Sequence, residues 1–347
     1  MAEEFLENLK KVEPRCPLFP RCGGCQYQHV AYGDQLALKR RKIQKLFAEF
    51  DLERDVVQPT VPSPLTYGYR TKLTPHYGRI RGSGEEPIGF LAAEGRPIID
   101  VPQCPIAAEE INGALPACRQ RIRSTVTRRG GTALLRRTDG GVVEDPRALA
   151  RETVCGKVFH FIAGEFFQNN GAILPDLIGT VRDMATAPEI DFLVDAYCGV
   201  GLFSLSLAES FQKVAGIEIC RESVRLARLN GSIQGVGNGQ FFAGTAEDIF
   251  AAVDFPADRT ALVLDPPRTG CGRAFADQLL RFQPRRVVYV SCGPEAQVRD
   301  LRPLLGTYAI RRVQPMDLFP QTRHIENLVL LERPRTGERV PSPRHQF

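Results

Sequence analysis

The chain lacks any apolar run of the length a bilayer-spanning helix needs, so a helical membrane protein is not expected. It also lacks an apolar signal region: its first residues, MAEEFLENLKKVEPRC, alternate acid and base, and the cytoplasm is the expected compartment. A large charge of one sign is missing as well. Lys and Arg number 45 against 40 Asp and Glu, a formal net charge of +5, too small a surplus to name a partner by itself. No internal repeat is visible, which excludes a solenoid or propeller. What remains is an ordinary globular composition, 43% hydrophobic and 24% charged over 347 residues, enough for two or three domains at about 150 residues each.

The distribution of charge says more than its sum. Lys39, Arg40, Arg41, Lys42 and Lys45 form one cluster, and Arg119, Arg121, Arg123, Arg128, Arg129, Arg136 and Arg137 lie in a stretch without any acid. A solvated face is the ordinary meaning of such runs. Two of them in one N-terminal half raise a nucleic-acid partner as the competing reading.

Ten cysteines in a reducing compartment point away from disulfides and toward metal or catalysis. Cys16, Cys22 and Cys25 sit in CPLFPRCGGC, with Cys104 far downstream in VPQCPIA. Gly23 and Gly24 permit a tight turn between sulfur ligands, and Pro17, Pro20 and Pro105 stiffen the flanks. Three clustered thiolates and one distant one suit either a tetrahedral metal or a cubane iron-sulfur cluster. The three-then-two spacing of radical enzymes is absent, because five residues and then two separate these thiols. Four plain buried thiols are the bland alternative.

Residues 34–50 carry Leu36, Ile43, Leu46, Phe47 and Phe50 at near-helical spacing, with basic residues between them. From Val61 to about Phe161 short extended pieces alternate with Gly and Pro, as in a mostly antiparallel β domain. From about Gln168 onward helix and strand alternate, as in a parallel, doubly wound α/β sheet. The expected units are thus a cysteine segment with its helix (1–60), a β-rich unit (61–165), an α/β unit (166–335) and a loose polar tail (336–347).

In the α/β half, FLVDAYCGVGLFSLSLA places a strand before a turn with Gly199 and Gly201 and then a helix, so that a cofactor can approach the backbone. Glu218 ends the next strand, where an acid can accept bonds from ribose hydroxyls. Thr245 follows the third strand, beside the expected adenine site. A nicotinamide dinucleotide would prefer a third glycine at the position of Ser204, so S-adenosylmethionine is the better ligand. The fourth strand ends in Asp265-Pro266-Pro267-Arg268, and the cation of Arg268 could offset an enolate oxygen on a pyrimidine ring. The fifth ends at Cys292. A thiolate there could add to C6 of uracil, make C5 nucleophilic toward a methyl sulfonium, and be expelled once a base, Glu326, removes the C5 proton. A strand-end cysteine that merely packs, and a surface arginine on a rigid turn, are the bland alternatives.

The cysteine quartet, Phe166-Phe167-Gln168-Asn169-Asn170, DAYCGVG, LDPPR, VSCGP and RHIENLVLLER, in this order, resemble the RNA 5-methyluridine methyltransferases that carry a 4Fe-4S cluster, the type that methylates 23S ribosomal RNA. The resemblance implies a Rossmann-like S-adenosylmethionine-dependent methyltransferase unit at the C-terminal end, behind an iron-sulfur segment and an antiparallel β unit. It implies that Cys16, Cys22, Cys25 and Cys104 ligate the cluster and that Gln168, Tyr197, Glu218 and Asp265 contact S-adenosylmethionine. It also makes Cys292 the nucleophile, Glu326 the base and Arg268 an assistant. The small β-barrel that begins many members has no counterpart in the fifteen residues before Cys16. RNA contacts are therefore expected from the β unit, with Tyr67, Tyr69 or Phe167 stacking on displaced bases. The expected partner is RNA, ribosomal rather than transfer RNA, with no membrane, no obligate protein partner and a monomeric state. Methylation of transfer RNA, or of cytosine, and a metal-stapled RNA-binding protein without catalysis are the alternatives.

Overall fold

The computed structural model describes residues 9–53, 55–81, 85–126 and 129–334. The proline-rich tail expected to be loose lies outside the described residues, as does Arg128.

The C-terminal half is built on a seven-stranded sheet. Its strands are β1 (Phe192–Ala196), β2 (Lys213–Glu218), β3 (Gly239–Ala243), β4 (Thr260–Leu264), β5 (Arg286–Ser291), β6 (Ala309–Met316) and β7 (Glu326–Glu332). They lie in the order β3-β2-β1-β4-β5-β7-β6. The first five strands run parallel, whereas β7 is antiparallel to both β5 and β6. The sheet is therefore mixed, not the uniformly parallel sheet expected. The reason is local: the loop after β6 is too short to hold a crossover helix, so the chain turns back on itself. The central strands are buried on both faces. Every residue of TALVL in β4 is buried, and continuous apolar strands of this kind are what a sheet covered on both sides requires. Burying Leu262 or Val263, both 0% exposed, stabilises by about 1.5–3 kcal/mol each.

One face of the sheet packs against α3 (Leu174–Ala185), α4 (Leu202–Leu207) and α5 (Arg221–Ile233), together with an antiparallel hairpin of residues 149–154 and 157–162. The hairpin strand LARETV alternates exposed and buried residues, the period of a strand covered on one side. The other face packs against α6 (Gly272–Phe282), α7 (Pro294–Leu301) and a helix from the far N-terminal end, α1 (Tyr32–Phe47). Ile43 and Phe47 of α1 belong to the same core as Leu301, Tyr308 and Val313. The basic helix expected beside the cysteines is thus also a structural helix packed on the seven-stranded sheet.

Between these parts lie two small antiparallel sheets. One joins residues 72–73, 135–138 and 141–143, and the other joins 76–77, 88–91, 98–100 and 131–132. A helix the sequence did not announce, Glu109–Ser124, packs Ile111, Leu115 and Cys118 against Leu73 and Leu135. Its pattern is masked by Pro116 inside the helix and by the arginine run that begins in it.

Within the arginine stretch read as an RNA surface, Arg119 and Arg136 are structural, whereas Arg121 and Arg129 are exposed. Arg119 is buried, holds Asp100 through both oxygens at 2.9 and 2.7 Å, and donates to Ile88 O at 2.7 Å. Arg136 is fully buried, donates to Asn169 Oδ1 at 2.9 Å and lies 4.7 Å from the Phe161 ring centroid. Arg121 pairs with Glu144, and Arg137 with Glu110. A run without acids in sequence finds its acids in space. The first cluster behaves similarly: Lys39 is buried against Asp317, and Lys42 pairs with Glu295.

Candidate active site

A single cavity of about 1150 Å³ opens at the carboxyl edge of the parallel strands, the place where sheets of this topology bind ligands. The loop after β1 forms one wall. Tyr197, Gly199 and Gly201 all have positive φ, at 65°, 52° and 91°, which lets the backbone turn back sharply before α4. A Cβ on Gly201 would lie 2.9 Å from the Leu205 side chain, so glycine is required there. Tyr197 and Gly199 line the cavity, and Gly201 supports the turn from behind without lining it. Glu218, at the end of β2, accepts from Gly199 N at 3.2 Å and from Cys220 N at 2.9 Å. Its carboxylate is thereby fixed at the cavity wall. Gln168 and Thr245 also line the cavity. Thr245 opens a short helical turn, bonded through both its N–H and its hydroxyl to Asp248.

Four chemically active groups meet deeper in the same cavity. Asp265 and Arg268 follow β4, Cys292 follows β5 and Glu326 begins β7. The two turns are pressed together: a Cβ on Gly293 would fall 2.8 Å from the Arg268 carbonyl. That proximity sets the Arg268 charge near the Cys292 thiol, where it favours the thiolate, whereas the expectation aimed Arg268 at a substrate oxygen. Burial, with Glu326 and Asp265 adding to it, pushes the Cys292 thiol up to about 11, against the pull of Arg268. Burial also raises Asp265 to about 7, helped by the charge of Asp195. Glu326 is held well above the usual carboxylate range by burial and by Asp265, with Arg268 opposing. Acids outnumber cations in this group, so each acid keeps its proton to higher pH than it would in water.

Two residues that the sequence did not single out share this space. His324 lines the cavity, and burial together with the cations Arg268, Arg323, Lys39 and Arg70 depresses it to about 4, leaving a neutral imidazole near pH 7. Its place in RHIEN, two residues before Glu326, was the available signal. Phe166 is 73% exposed at the cavity. Phe167, expected to stack on bases, is 3% exposed and stacks instead on Phe161, with centroids 4.5 Å apart. Of neighbouring phenylalanines in an extended segment one faces in and the other out, and the core took Phe167. Tyr69 is likewise unavailable: it is 2% exposed and donates to Pro320 O at 2.9 Å. Tyr67 is partly exposed and carries the Arg15 guanidinium 4.4 Å above its ring.

Cys16, Cys22, Cys25 and Cys104 line the far wall of the same cavity. Among the described residues no three metal-binding side chains are drawn together tightly enough to hold a single ion. The thiols nevertheless sense one another. Burial, with the charges of Cys104, Cys22 and Cys16, pushes Cys25 up to about 12, and Cys104 is pushed up to about 11 mainly by burial. A donor set of four thiols facing one space fits a soft metal centre.

These features have counterparts among known proteins. Residues 147–334 match the model of the tRNA (Uracil-5-)-methyltransferase family. The tRNA (uracil(54)-C(5))-methyltransferase of Schizosaccharomyces pombe is 38% identical across 95% of this chain and 68% of its own length. The Saccharomyces cerevisiae protein of the same name is 34% identical across 91% of the chain and 62% of its own length, so the chain spans about two thirds of these relatives. An uncharacterized RNA methyltransferase of Thermosynechococcus vestitus is 31% identical, across 93% of the chain and 84% of its own length. The fold matches a crystal structure of Pyrococcus abyssi tRNA (uracil-54, C5)-methyltransferase in complex with S-adenosyl-L-homocysteine, with a TM-score of 0.70 and 23% identity over 90% of this chain and 86% of that one. The chain belongs to the tRNA (uracil-5-)-methyltransferase family and is an S-adenosylmethionine-dependent RNA uracil-5-methyltransferase.

Proposed function

We propose that the protein methylates C5 of a uridine in transfer RNA, at the position corresponding to uridine 54, through a covalent adduct between Cys292 and C6 of the base. The observation that carries the mechanism is the meeting of Cys292, Arg268, Asp265 and Glu326 in one cavity with the cofactor-type turn. The names of the two fungal relatives support transfer RNA over the 23S ribosomal RNA that the family resemblance had suggested.

The Cys292 thiol releases its proton to solvent, and the thiolate forms a bond to C6 while the ring electrons move toward O4, making C5 nucleophilic. The nearby charge of Arg268 favours the thiolate form of Cys292. Gln168, Tyr197, Gly199, Glu218, Thr245 and Asp265 would hold S-adenosylmethionine over the turn that Gly201 allows, where it would supply an electrophilic methyl group to C5 and be left as S-adenosylhomocysteine. Glu326 acts in its carboxylate form, whose proton affinity burial has raised: it takes the C5 proton, the C5–C6 double bond re-forms and the sulfur leaves as thiolate. The exposed Phe166 ring is a stacking surface for a base displaced from its helix, and the β sheets of residues 61–165 frame the RNA-facing side. We further infer that Cys16, Cys22, Cys25 and Cys104 hold a 4Fe-4S cluster with a structural role.

Trapping tests the mechanism and the substrate together. The protein is incubated with S-adenosylmethionine and either transfer RNA or 23S ribosomal RNA transcripts containing 5-fluorouridine, whose fluorine cannot leave as a proton does. A denaturing-gel adduct with transfer RNA, lost in Cys292→Ala, is expected. An adduct with the ribosomal transcript alone would reverse the substrate assignment, and an undiminished adduct in Cys292→Ala would eliminate the nucleophile.

A further inference from the structure

The loop that leads into Glu326 is held chiefly from outside the methyltransferase sheet. It contributes Phe319, Thr322 and His324 to the cavity wall before Glu326 begins β7. Among the described residues, one hydrogen bond leaving residues 317–325 reaches the C-terminal half, from Asn170 Nδ2 to Leu318 O at 3.0 Å. The others run to residues 26–69. Gln26 N and Tyr27 N both donate to Gln321 O, at 3.0 and 2.9 Å. Gln35 on α1 makes a reciprocal amide pair with Gln321: its Nε2 donates to Gln321 Oε1 and its Oε1 accepts from Gln321 N, both at 3.0 Å. One helical turn later, Lys39 Nζ donates to Asp317 Oδ1 at 2.5 Å and to Phe319 O at 3.1 Å. Gln35, Lys39, Asp317 and Gln321 are all buried, at 3% exposure or less.

Gln321 has φ of 68°, a left-handed backbone that a non-glycine residue keeps only where its surroundings over-determine it. The clamp on Gln321 is that surrounding. Neither Gln35 nor Lys39 lines the cavity, so neither touches substrate. Cys292, by contrast, stands on the β5–α7 turn, braced against Arg268 by Gly293. Glu326 itself sits in the sheet, opposite Met316 of β6 and beside Asn327, which pairs with Ser291, whereas the wall of residues that leads into it is held from the N-terminal segment.

We propose that Gln35 and Lys39 are positioning residues for proton abstraction, holding the wall of Phe319, Thr322 and His324 so that Glu326 meets the C5 proton, with no part in the addition of Cys292. The inference rests on the roles given above to Cys292 and Glu326. Its consequence is selective. When the clamp is loosened, the Cys292–C6 bond still forms and C5 still gains its methyl group, but the C5–H bond breaks slowly. The methylated adduct then persists with its C6–sulfur bond intact.

The test uses the full-length protein, ordinary uridine-containing transfer RNA and S-adenosylmethionine labelled in the methyl group. Gln35→Met removes the amide pair at similar volume. Lys39→Met/Asp317→Leu replaces the buried ion pair by apolar groups, a change that folded proteins commonly tolerate, and serves if the first variant does not fold. In either variant turnover should drop on the order of ten- to a hundredfold. Labelled RNA–protein adduct on denaturing gels should rise above wild type, and the rate of trapping by 5-fluorouridine RNA should stay unchanged. Unchanged turnover, or trapping that declines in step with turnover, would overturn the proposal. A wild-type protein that traps no 5-fluorouridine RNA would overturn the underlying reading of Cys292 instead.

Discussion

At Cys292 the neighbours, not the residue type, set the state of the thiol. With its thiol pushed up to about 11 by burial and two carboxyl groups, the free protein holds almost no thiolate near pH 8. The pH dependence follows from that direction: alkylation of the Cys292 peptide by iodoacetamide, followed by mass spectrometry, should accelerate about tenfold per pH unit between 7 and 10. Arg268→Gln, which removes the one group pulling the thiol down, should slow alkylation at any fixed pH in that range. A flat profile would contradict the charge balance assigned to this site. That Cys292, Asp265, Arg268 and Glu326 lie near one another at the carboxyl edge was legible in sequence, because each follows or begins a strand there. The pull of Arg268 on the Cys292 thiol was not, because it depends on the approach of two turns 24 residues apart in the chain.

At the scale of elements, the segment of Cys16 to Cys25 does two things. It presents three thiols to the cavity and, through Gln26 and Tyr27, grips the loop before Glu326. A metal centre here would bind the segment to Cys104 and stiffen that grip. Protein purified without oxygen is expected to be brown and to carry about four irons per chain, by colorimetric iron analysis and visible absorbance. Cys25→Ser should lower the iron content and shift unfolding to lower temperature. One zinc per colourless chain would defeat the cluster assignment. Helix α1 could be seen in its spacing, yet its partner could not: Ile43 and Phe47 say only that one face is apolar, and the tertiary fold decides that this face meets Leu301 and Val313. The Glu109–Ser124 helix was hidden for the opposite reason, since its buried Arg119 reads in sequence as a surface charge.

For the molecule as a whole, buried carboxyl groups set a pH signature. Asp195 lies under the cofactor-type turn, accepts from Ser204 N at 2.9 Å and from its hydroxyl at 2.5 Å through Oδ2, and has no partner for Oδ1. Burial pushes it up to about 7. The folded protein thus keeps this proton to a higher pH than the unfolded chain, where Asp titrates near 4. The contribution is full below about pH 4 and is lost as pH rises through about 7. Asp195→Asn should therefore gain stability relative to wild type between pH 5 and about 7.5, read from urea midpoints at the two pH values. An identical pH trend in both proteins would refute it. The sequence by itself determined the α/β class, the strand ends that carry the reactive groups and the reaction class, because periodicity, glycine turns and residue chemistry are local properties. Only the tertiary structure decided which arginines are solvated, which of Phe166 and Phe167 is exposed, that the last strands run antiparallel, and that an N-terminal helix clamps the loop leading to Glu326. Each of these depends on what lies across the fold, and burial and long-range pairing are not written in any one stretch of chain.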